Sequence, residues 1–369
     1  MKGDFLMRFG KKSGILVLSL ALTGTLLAGC STKGSDSATS DNLTTITKNA
    51  KKEGMVRSVG MPDTWANWVG TWNDLKDKYG LKHQDTDMSS AQELQNFKSV
   101  GKTANAADLG DIGINVAPTA VKQNLLMSYK TKYWDEIPAW AKDSKGYWSA
   151  GYTGTIAFIT DTKNVKASDA PTTWKQLADG KYNVDLGDVT SAAQSQYAVL
   201  AAAVANGGNE KDIQPGIKFF QKLQKEHRLS TNNLTVQNLQ KGETQVAIVW
   251  DFNALNYRKL IGDNSRYKIT IPTDGSVMSG YAEVINKNAA HPNAAKLARN
   301  YILSDAGQIN LAKGFARPIR TDVKLPADIA AQLLPDSDYK DVYHVKDADA
   351  WNAITLKLAQ LWQSEVLGK

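Results

Sequence analysis

The sequence contains very little cysteine and histidine. Cys30 is the only cysteine among 369 residues, and the four histidines stand at positions 83, 227, 291 and 344. A single cysteine cannot form a disulfide within the chain, and histidines this far apart lack the spacing of a metal-binding motif. We therefore expect no metal and no other cofactor, and stability has to come from the packing of an apolar core.

Long apolar runs and blocks of like charge are also missing. No run approaches the roughly 20 apolar residues that a membrane-spanning helix requires. The formal net charge is +7, but the sequence has no block of five like charges and no stripe of Lys and Arg interleaved with aromatic residues. Nucleic acid is therefore excluded as a partner. The H-E-x-x-H, G-x-S-x-G and Walker patterns do not occur either, so nothing in the sequence predicts an enzyme.

The first 42 residues have the pattern of an export signal followed by a tether. A basic start precedes an apolar stretch over residues 15–27 and then Ala28-Gly29-Cys30, which is the order of a bacterial secretory signal. This pattern resembles the lipobox of bacterial lipoproteins, in which the cysteine becomes the mature N-terminus and carries lipid. We predict a signal peptide over 1–29, a flexible polar tether over 30–42, and a lipid on Cys30 that anchors the exported protein to the cell membrane. An ordinary signal peptide or a buried cysteine is the alternative.

Predicted strands and helices alternate from residue 43 onward. Strands are predicted at 55–59, 108–116 and 245–250, and amphipathic helices at 64–79 and 90–100. This alternation favours an α/β fold with a parallel sheet and helical crossovers. The length of the chain after the signal favours two lobes over one core.

Five sequence elements occur in an order that resembles the solute-binding components of ABC importers, in the cluster of iron, thiamine, polyamine and phosphonate binders. The last element is the most specific of the five. The elements are the segment ending at Cys30, Ala107-Asp108-Leu109-Gly110-Asp111, Pro171-Thr172-Thr173-Trp174-Lys175-Gln176-Leu177, Asp188-Val189-Thr190-Ser191, and Ser279-Gly280-Tyr281-Ala282-Glu283-Val284-Ile285 continued by His291-Pro292-Asn293-Ala294-Ala295 and Ser304-Asp305-Ala306-Gly307-Gln308.

The resemblance implies a type II periplasmic-binding-protein fold, with two α/β lobes, a hinge of two crossing strands and a central ligand cleft. By position it implies lobe one over 43–152 plus 279–320 and lobe two over 153–278. The C-terminal helices over 321–369 would brace the hinge or lobe two. It also implies a monomer that works with the transmembrane subunits of an ABC permease, on the extracellular face of the membrane or in the periplasm.

Ligands of open parallel sheets bind at the carboxyl ends of the strands. This rule nominates Asp63 and Trp65 after the first strand and Asn115 after a later one. Trp68 and Trp72 share a helical face with Trp65 and are predicted to be core residues.

A helix N-terminus follows the strand of lobe two. Thr190, Ser191 and Gln194 lie at this N-terminus, where backbone N–H groups and hydroxyls favour an anionic group. Plain N-capping is the equally weighted alternative.

An aromatic residue and a carboxylate follow the buried strand at 245–250. Trp250 and Asp251 suit a cationic amine through cation–π contact and charge pairing, although a core tryptophan with a capping aspartate gives the same pattern. Tyr281 lies on the second crossing strand and faces either the cleft or the core. No adjacent Tyr-Tyr pair occurs, which disfavours ferric iron, because the iron-binding branch carries a paired-tyrosine motif in this region.

The leading hypothesis is a lipid-anchored receptor that captures a small charged solute and delivers it to a permease without changing it. If both the amine site and the anion site hold, a zwitterion such as an aminophosphonate fits. If the amine site dominates, thiamine or a polyamine fits. The alternatives are an exported hydrolase, for which no nucleophile–base set is found, and a surface adhesin.

Overall fold

The computed structural model of the protein describes residues 40–230 and 234–368. The predicted signal peptide, the lipidation of Cys30 and nearly all of the tether lie outside these residues. Within the described residues, no helix is long and apolar enough to cross a membrane.

Helices and strands alternate through most of the described chain. The helices are α1 Ser40–Glu53, α2 Trp68–Tyr79, α3 Ser90–Val100, α4 Ala117–Lys122, α5 Trp174–Asp179, α6 Ala193–Ala205, α7 Gln214–Lys225, α8 Val236–Lys241, α9 Asp251–Ile261, α10 Pro292–Ile302, α11 Asp305–Lys313, α12 Ala327–Ala330 and α13 Ala348–Leu361. The strands are β1 Met55–Val59, β2 Lys82–Thr86, β3 Leu109–Gly113, β4 Trp148–Asp161, β5 Val184–Asp185, β6 Leu229–Ser230, β7 Val246–Trp250, β8 Tyr267–Thr270, β9 Ser276–Ile285, β10 Arg317–Pro318 and β11 Val342–His344.

The strands form one continuous path in the order β2-β1-β3-β9-β4-β7-β5-β6. The strands β2, β1 and β3 are parallel, as are β7, β5 and β6. The two long strands β9 and β4 lie between these groups and run antiparallel to their neighbours in this path. The expected parallel sheet with helical crossovers is therefore present twice, once on each side of the central strands β9 and β4.

Strand β4 belongs to both halves of this path. Its residues 148–155 pair with β9, whereas residues 156–160 pair with β7. The change of partner within one strand makes β4 a physical link between the two halves. Strand β8 also pairs with the end of β4, and β11 pairs with β9.

Two helices show how the sequence pattern produces the core. Helix α6 is apolar on all sides, and ten of its 13 residues are buried, as expected for a helix enclosed by other elements. On α2, Trp68 and Trp72 are at most 5% exposed and stack on each other, which confirms that both are core residues. The helix begins at Trp68 and not at residue 64, because Ala66 and Asn67 take left-handed backbone conformations.

Strand β2 is not predicted by the sequence. All five of its residues are polar, and alternate positions are exposed. Its position at the edge of the sheet explains this composition, because a half-solvated edge strand needs no apolar pattern. Backbone pairing with β1 over five residues holds it in place.

The C-terminal segment contacts elements far apart in the chain. Asn352 of α13 donates to the carbonyl oxygen of Asn115, just before α4. Gln221 of α7 donates to the carbonyl oxygen of Glu365 at the chain's end. Such contacts suit the predicted brace, while the lobe boundaries given above stay a prediction.

Candidate ligand-binding cleft

A cleft of about 630 Å³ opens at the carboxyl ends of several strands. The loop after β1 and the start of α3 form one wall. The segment from β5 to the start of α6 forms another part of the lining. Further lining residues are Asp111 of β3, Leu234 and Thr235 before α8, Ile248 and Val249 of β7, Tyr257 of α9 and Tyr281 of β9. The position agrees with the rule that ligands of such sheets bind beyond the carboxyl ends of the strands.

The charge on this lining has one sign. Five carboxyl-bearing residues line the cleft, and no Lys, Arg or His occurs among the described residues that line it. The five are Asp87, Glu93, Asp111, Asp185 and Asp188. A site with carboxyl groups and no basic partner favours a ligand that carries positive charge.

Trp65 is the main aromatic side chain of the cleft wall. Its indole Nε1 donates to the hydroxyl of Tyr152 at 2.6 Å. Its ring meets Phe252 and Tyr281 edge to face, with centroids 5.3 Å and 5.5 Å away. These contacts fix the indole, so that its remaining surface is available to a ligand.

Glu93 and Asp111 form the floor of the cleft. The backbone N–H of Asp111 donates to Glu93 Oε2 at 3.0 Å, and the hydroxyl of Tyr152 donates to Asp111 Oδ2 at 2.7 Å. Burial, followed by the proximity of other carboxyl groups, raises the pKa of Glu93 well above its usual value. Burial also raises the pKa of Asp111. Sequence reasoning missed both residues, although an aspartate inside the short buried strand β3 is a signal that could have found Asp111.

Four of the nine residues predicted to bind ligand line the cleft. They are Trp65, Ser191, Gln194 and Tyr281. Asp63 is exposed and lies beside the lining residues Pro62 and Thr64 without itself lining the cleft.

The hydroxyls of the predicted anion site bind a carboxylate of the protein. Thr190 donates to Asp188 Oδ1 at 2.6 Å, and Ser191 donates to Asp188 Oδ2 at 2.5 Å. Partial burial opposes ionisation of Asp188, but these hydrogen bonds outweigh it and keep the pKa below its usual value. The anion that these hydroxyls hold is therefore already part of the chain. The capping alternative does not describe them either, because the N-cap of α6 is Ala192 and no side chain caps this helix.

Gln194 connects the cleft to β7 and α9. Its Oε1 accepts from the backbone N–H of Trp250 at 2.9 Å and from Asn253 Nδ2 at 2.8 Å. Trp250 is 1% exposed and donates from Nε1 to the hydroxyl of Tyr281. Trp250 therefore lies behind Tyr281 and does not line the cleft.

Asn115 and Asp251 are also buried beneath the cleft. The amide of Asn115 donates to Gln196 Oε1 at 2.7 Å. Asp251 Oδ1 accepts the backbone N–H groups of Thr155 and Phe252, both at 2.9 Å. Its Oδ2 accepts from the hydroxyl of Tyr339 at 2.5 Å. Burial raises the pKa of Asp251, and the side chain joins β4, α9 and the C-terminal segment. The sequence places Trp250 and Asp251 together, but the structure turns neither toward the cleft.

Comparison with known proteins identifies the family. The sequence profile of the bacterial extracellular solute-binding proteins matches residues 105–352, about two thirds of the sequence, and the chain belongs to this family. No curated protein matches the sequence.

Solved structures show the same fold at low sequence identity. The periplasmic binding protein AfuA from Actinobacillus pleuropneumoniae, with exogenous fructose-6-phosphate bound, is 18% identical with a TM-score of 0.66, over 85% of this chain and 98% of that one. Iron-bound HitA from Pseudomonas aeruginosa is 16% identical with a TM-score of 0.64, over 83% and 98%. The Atu4243-GABA receptor is 15% identical with a TM-score of 0.65, over 84% and 96%. The fold is therefore the expected two-lobed α/β fold of type II periplasmic binding proteins.

Proposed function

We propose that this protein captures a small solute bearing at least one positively charged nitrogen and delivers it to the permease of an ABC importer. One observation carries the choice of solute. The cleft presents five carboxyl groups, and its described lining contains no basic side chain. A positive charge on the ligand is the simplest way to satisfy such a lining.

The lining disfavours an anionic ligand. A phosphate or carboxylate would meet like charges without a cation to pair with, and such contacts cost several kcal/mol. The hydroxyls of Thr190 and Ser191 are not available to donate to an anionic ligand, because both donate to Asp188. Of the solutes expected from the sequence, a polyamine or thiamine therefore fits better than an aminophosphonate.

Aromatic side chains complete the cation site. Trp65, Tyr257 and Tyr281 all line the cleft, and a cation above an aromatic face gains about 0.5–2 kcal/mol. The apolar part of an amine can also pack against these rings. We expect affinity from charge pairing and orientation from the aromatic wall.

Capture would follow hinge closure of the two predicted lobes. Strands β4 and β9 connect the halves of the sheet, and small rotations of the backbone there would move the two cleft walls toward each other. The lipid on Cys30 would hold the receptor at the membrane near its permease. In this proposal the protein acts as a monomer and releases the solute unchanged.

The test is ligand-dependent stability with a chemically matched panel. The panel contains putrescine, spermidine, thiamine, GABA, 2-aminoethylphosphonate and fructose-6-phosphate. We expect one or more of the first three to raise the melting temperature, because a ligand at 100 times its Kd adds about 2.7 kcal/mol. Stabilisation by the phosphate or phosphonate alone would contradict the proposal, as would chemical conversion of any panel member.

Two substitutions check that the cleft charge is responsible. Asp87→Asn removes a carboxyl that lines the cleft, and Asp135→Asn removes an exposed one that does not. We expect calorimetry to show weaker amine binding for the first variant and unchanged binding for the second. Equal affinities in both variants would mean that the amine binds elsewhere.

A further inference from the structure

Three buried acids surround the floor of the cleft, and we call Glu93, Asp111 and Glu283 the acidic cluster. The Glu93 carboxyl lies on the Gly110 side of β3, where it accepts the backbone N–H of Asp111. All three side chains are at most 1% exposed. Asp111 and Glu283 stand directly opposite each other in the antiparallel register of β3 and β9, so their side chains lie on the same face of the sheet. Asp111 and Glu93 line the cleft, and Glu283 lies behind them.

Glycines provide the space that the acidic cluster occupies. A Cβ atom at Gly60 would lie 2.3 Å from Glu93 Oε1, and one at Gly110 would lie 2.6 Å from Glu93 Oε2. A Cβ atom at Gly151 would lie 2.6 Å from Glu283 Oε1. No other residue type fits at these three positions without moving a carboxyl group, so the local backbone is shaped around the acids.

Several oxygens of the acidic cluster lack a hydrogen-bond donor. Asp111 Oδ1 and both carboxyl oxygens of Glu283 are buried and find no partner among the described residues. The side chains of Asp111 and Glu283 nevertheless lie side by side on one face of the sheet, because the two residues are paired in the register of β3 and β9. Two carboxylates cannot form a hydrogen bond with each other, whereas a carboxylic acid can donate a hydrogen bond to a carboxylate. The pair is therefore satisfied only when it shares a proton.

The surroundings of the acidic cluster favour retention of that proton. Burial is the first cause that raises the pKa of each member, and the charge of neighbouring carboxyl groups raises the pKa of Glu93 and Glu283 further. The guanidinium of Arg299 acts in the opposite direction on Glu283. Arg299 therefore opposes the protonation of Glu283 alone.

Other titratable and polar groups face the acidic cluster or its arginine from several elements. Tyr152 on β4 donates to Asp111, and Trp68 on α2 lies near the same carboxyl. The remaining groups are Asp85 on β2, Asp87 before α3, Tyr281 on β9, and Tyr129 and Asp143 beside Arg299. None of these remaining groups is a cation.

We propose that Asp111 Oδ1 accepts an ammonium group of the solute and that the acidic cluster releases its shared proton when this cation arrives. The inference rests on the proposed function and adds the anchoring atom and a proton-coupled step. One carboxylic O–H bond breaks, the proton passes to solvent, and the ammonium replaces it as the positive charge between the carboxylates. No covalent bond of the solute changes.

Proton release makes capture depend on pH. At a pH below the titration range of the shared proton, the solute must displace this proton in order to bind. At a pH above that range the proton is already gone. Affinity therefore rises with pH through the titration range, by at most about tenfold per pH unit for one proton. A receptor of this kind binds its amine more tightly at neutral pH than at acidic pH.

The test is calorimetry with the amine of the panel that binds most tightly, at pH 7, 7.5 and 8 in phosphate and in HEPES. These buffers differ in ionisation enthalpy, so the difference in measured heat reports protons released. We expect the release to approach one proton per solute below the titration, to be about half a proton at its midpoint and to vanish above it. Asp111→Asn should weaken binding at least tenfold.

Glu283→Gln is the decisive variant. Its amide donates to Asp111 as a protonated Glu283 would, but cannot lose that hydrogen. We expect it to bind the amine with a release near zero and a flat pH dependence. Asp87→Asn is the matched control, because it removes a carboxyl that lines the cleft outside the acidic cluster. This control should weaken binding and keep the release.

Infrared difference spectra of the unsubstituted protein give a second readout that does not depend on the folding of any variant. The stretching band of a protonated carboxyl should disappear when the amine binds. Binding without proton release and without loss of this band would overturn the proposal and leave the proposed function standing. Release that persists in Glu283→Gln would overturn the assignment to the pair. If no amine binds, the proposed function fails and this proposal fails with it.

Discussion

Substitution of Asp251 separates two interpretations of the same residue. The sequence pattern suggests that Asp251 contacts an amine, whereas the structure places it under the cleft, where it accepts three hydrogen bonds. Asp251→Ala leaves the backbone N–H groups of Thr155 and Phe252 without an acceptor and removes the partner of Tyr339. Each buried donor left unpaired costs about 1–3 kcal/mol, so we expect a total loss of about 3–5 kcal/mol.

Asp251→Asn is the conservative member of the series. Its Oδ1 can keep both backbone hydrogen bonds, and its amide can donate to the hydroxyl of Tyr339, which rotates to accept. Only the assistance of the negative charge is lost, and we expect a loss of about 0.5–1.5 kcal/mol. Tyr339→Phe tests the third bond alone and should cost about 1–2 kcal/mol, because Asp251 Oδ2 then lacks its donor.

Urea unfolding gives the free energies, and calorimetry with the bound amine gives the affinities. We expect Asp251→Asn to change the affinity less than threefold, since the residue does not line the cleft. A tenfold loss of affinity at an unchanged urea midpoint would refute this reasoning and would return Asp251 to the role of a ligand contact.

Three further predictions concern the cleft wall and the fold. Gly60→Ala should cost about 1–2 kcal/mol more than Gly80→Ala and should weaken amine binding, because both glycines have a positive φ but only Gly60 has a side chain within 4 Å; equal losses of unfolding free energy would contradict the steric argument. Burial lowers the pKa of His83 from 6.5 to about 4. The contribution of neutral His83 to stability is therefore lost as the pH falls through that range. After allowance for solvent screening, we expect His83→Gln to reduce the loss of unfolding free energy between pH 7 and pH 4 by about 1–3 kcal/mol, measured by urea unfolding. Arg266→Lys breaks the two 2.8 Å bonds to the buried carboxyl of Asp161 and should cost about 2–4 kcal/mol, and a change below 0.5 kcal/mol in thermal unfolding would count against it.

The sequence could predict the class of fold because local pattern and element order carry that information. The apolar strand β7, the apolar helix α6 and the tryptophan face of α2 all follow from periodicity. The order of the quoted motifs led to the solute-binding family, which the profile match confirms. The sequence did not predict strand β2, because its polar residues are held in an extended conformation by pairing with β1 and not by burial.

The candidate cleft was only half predictable. The rule on strand ends leads to the neighbourhood of Trp65, Ser191, Gln194 and Tyr281, since connectivity alone determines which loops follow strands. It could not decide which side chain turns inward at each loop. Asp63 is exposed beside the lining. Trp250 and Asp251 pack beneath the lining, because their hydrogen-bond partners come from distant parts of the chain.

The sequence by itself determined the alternation of elements, the core faces of its helices and the family to which the protein belongs, because these depend on neighbours along the chain. Only the tertiary structure decided the charge of the cleft. Glu93, Asp111 and Glu283 are far apart in sequence and meet through the register of β3 with β9 and the packing of α3 on β3. Whether a carboxyl is solvated, paired with an arginine or buried beside another acid depends on what the fold brings against it, and this environment determines which solute the protein can hold.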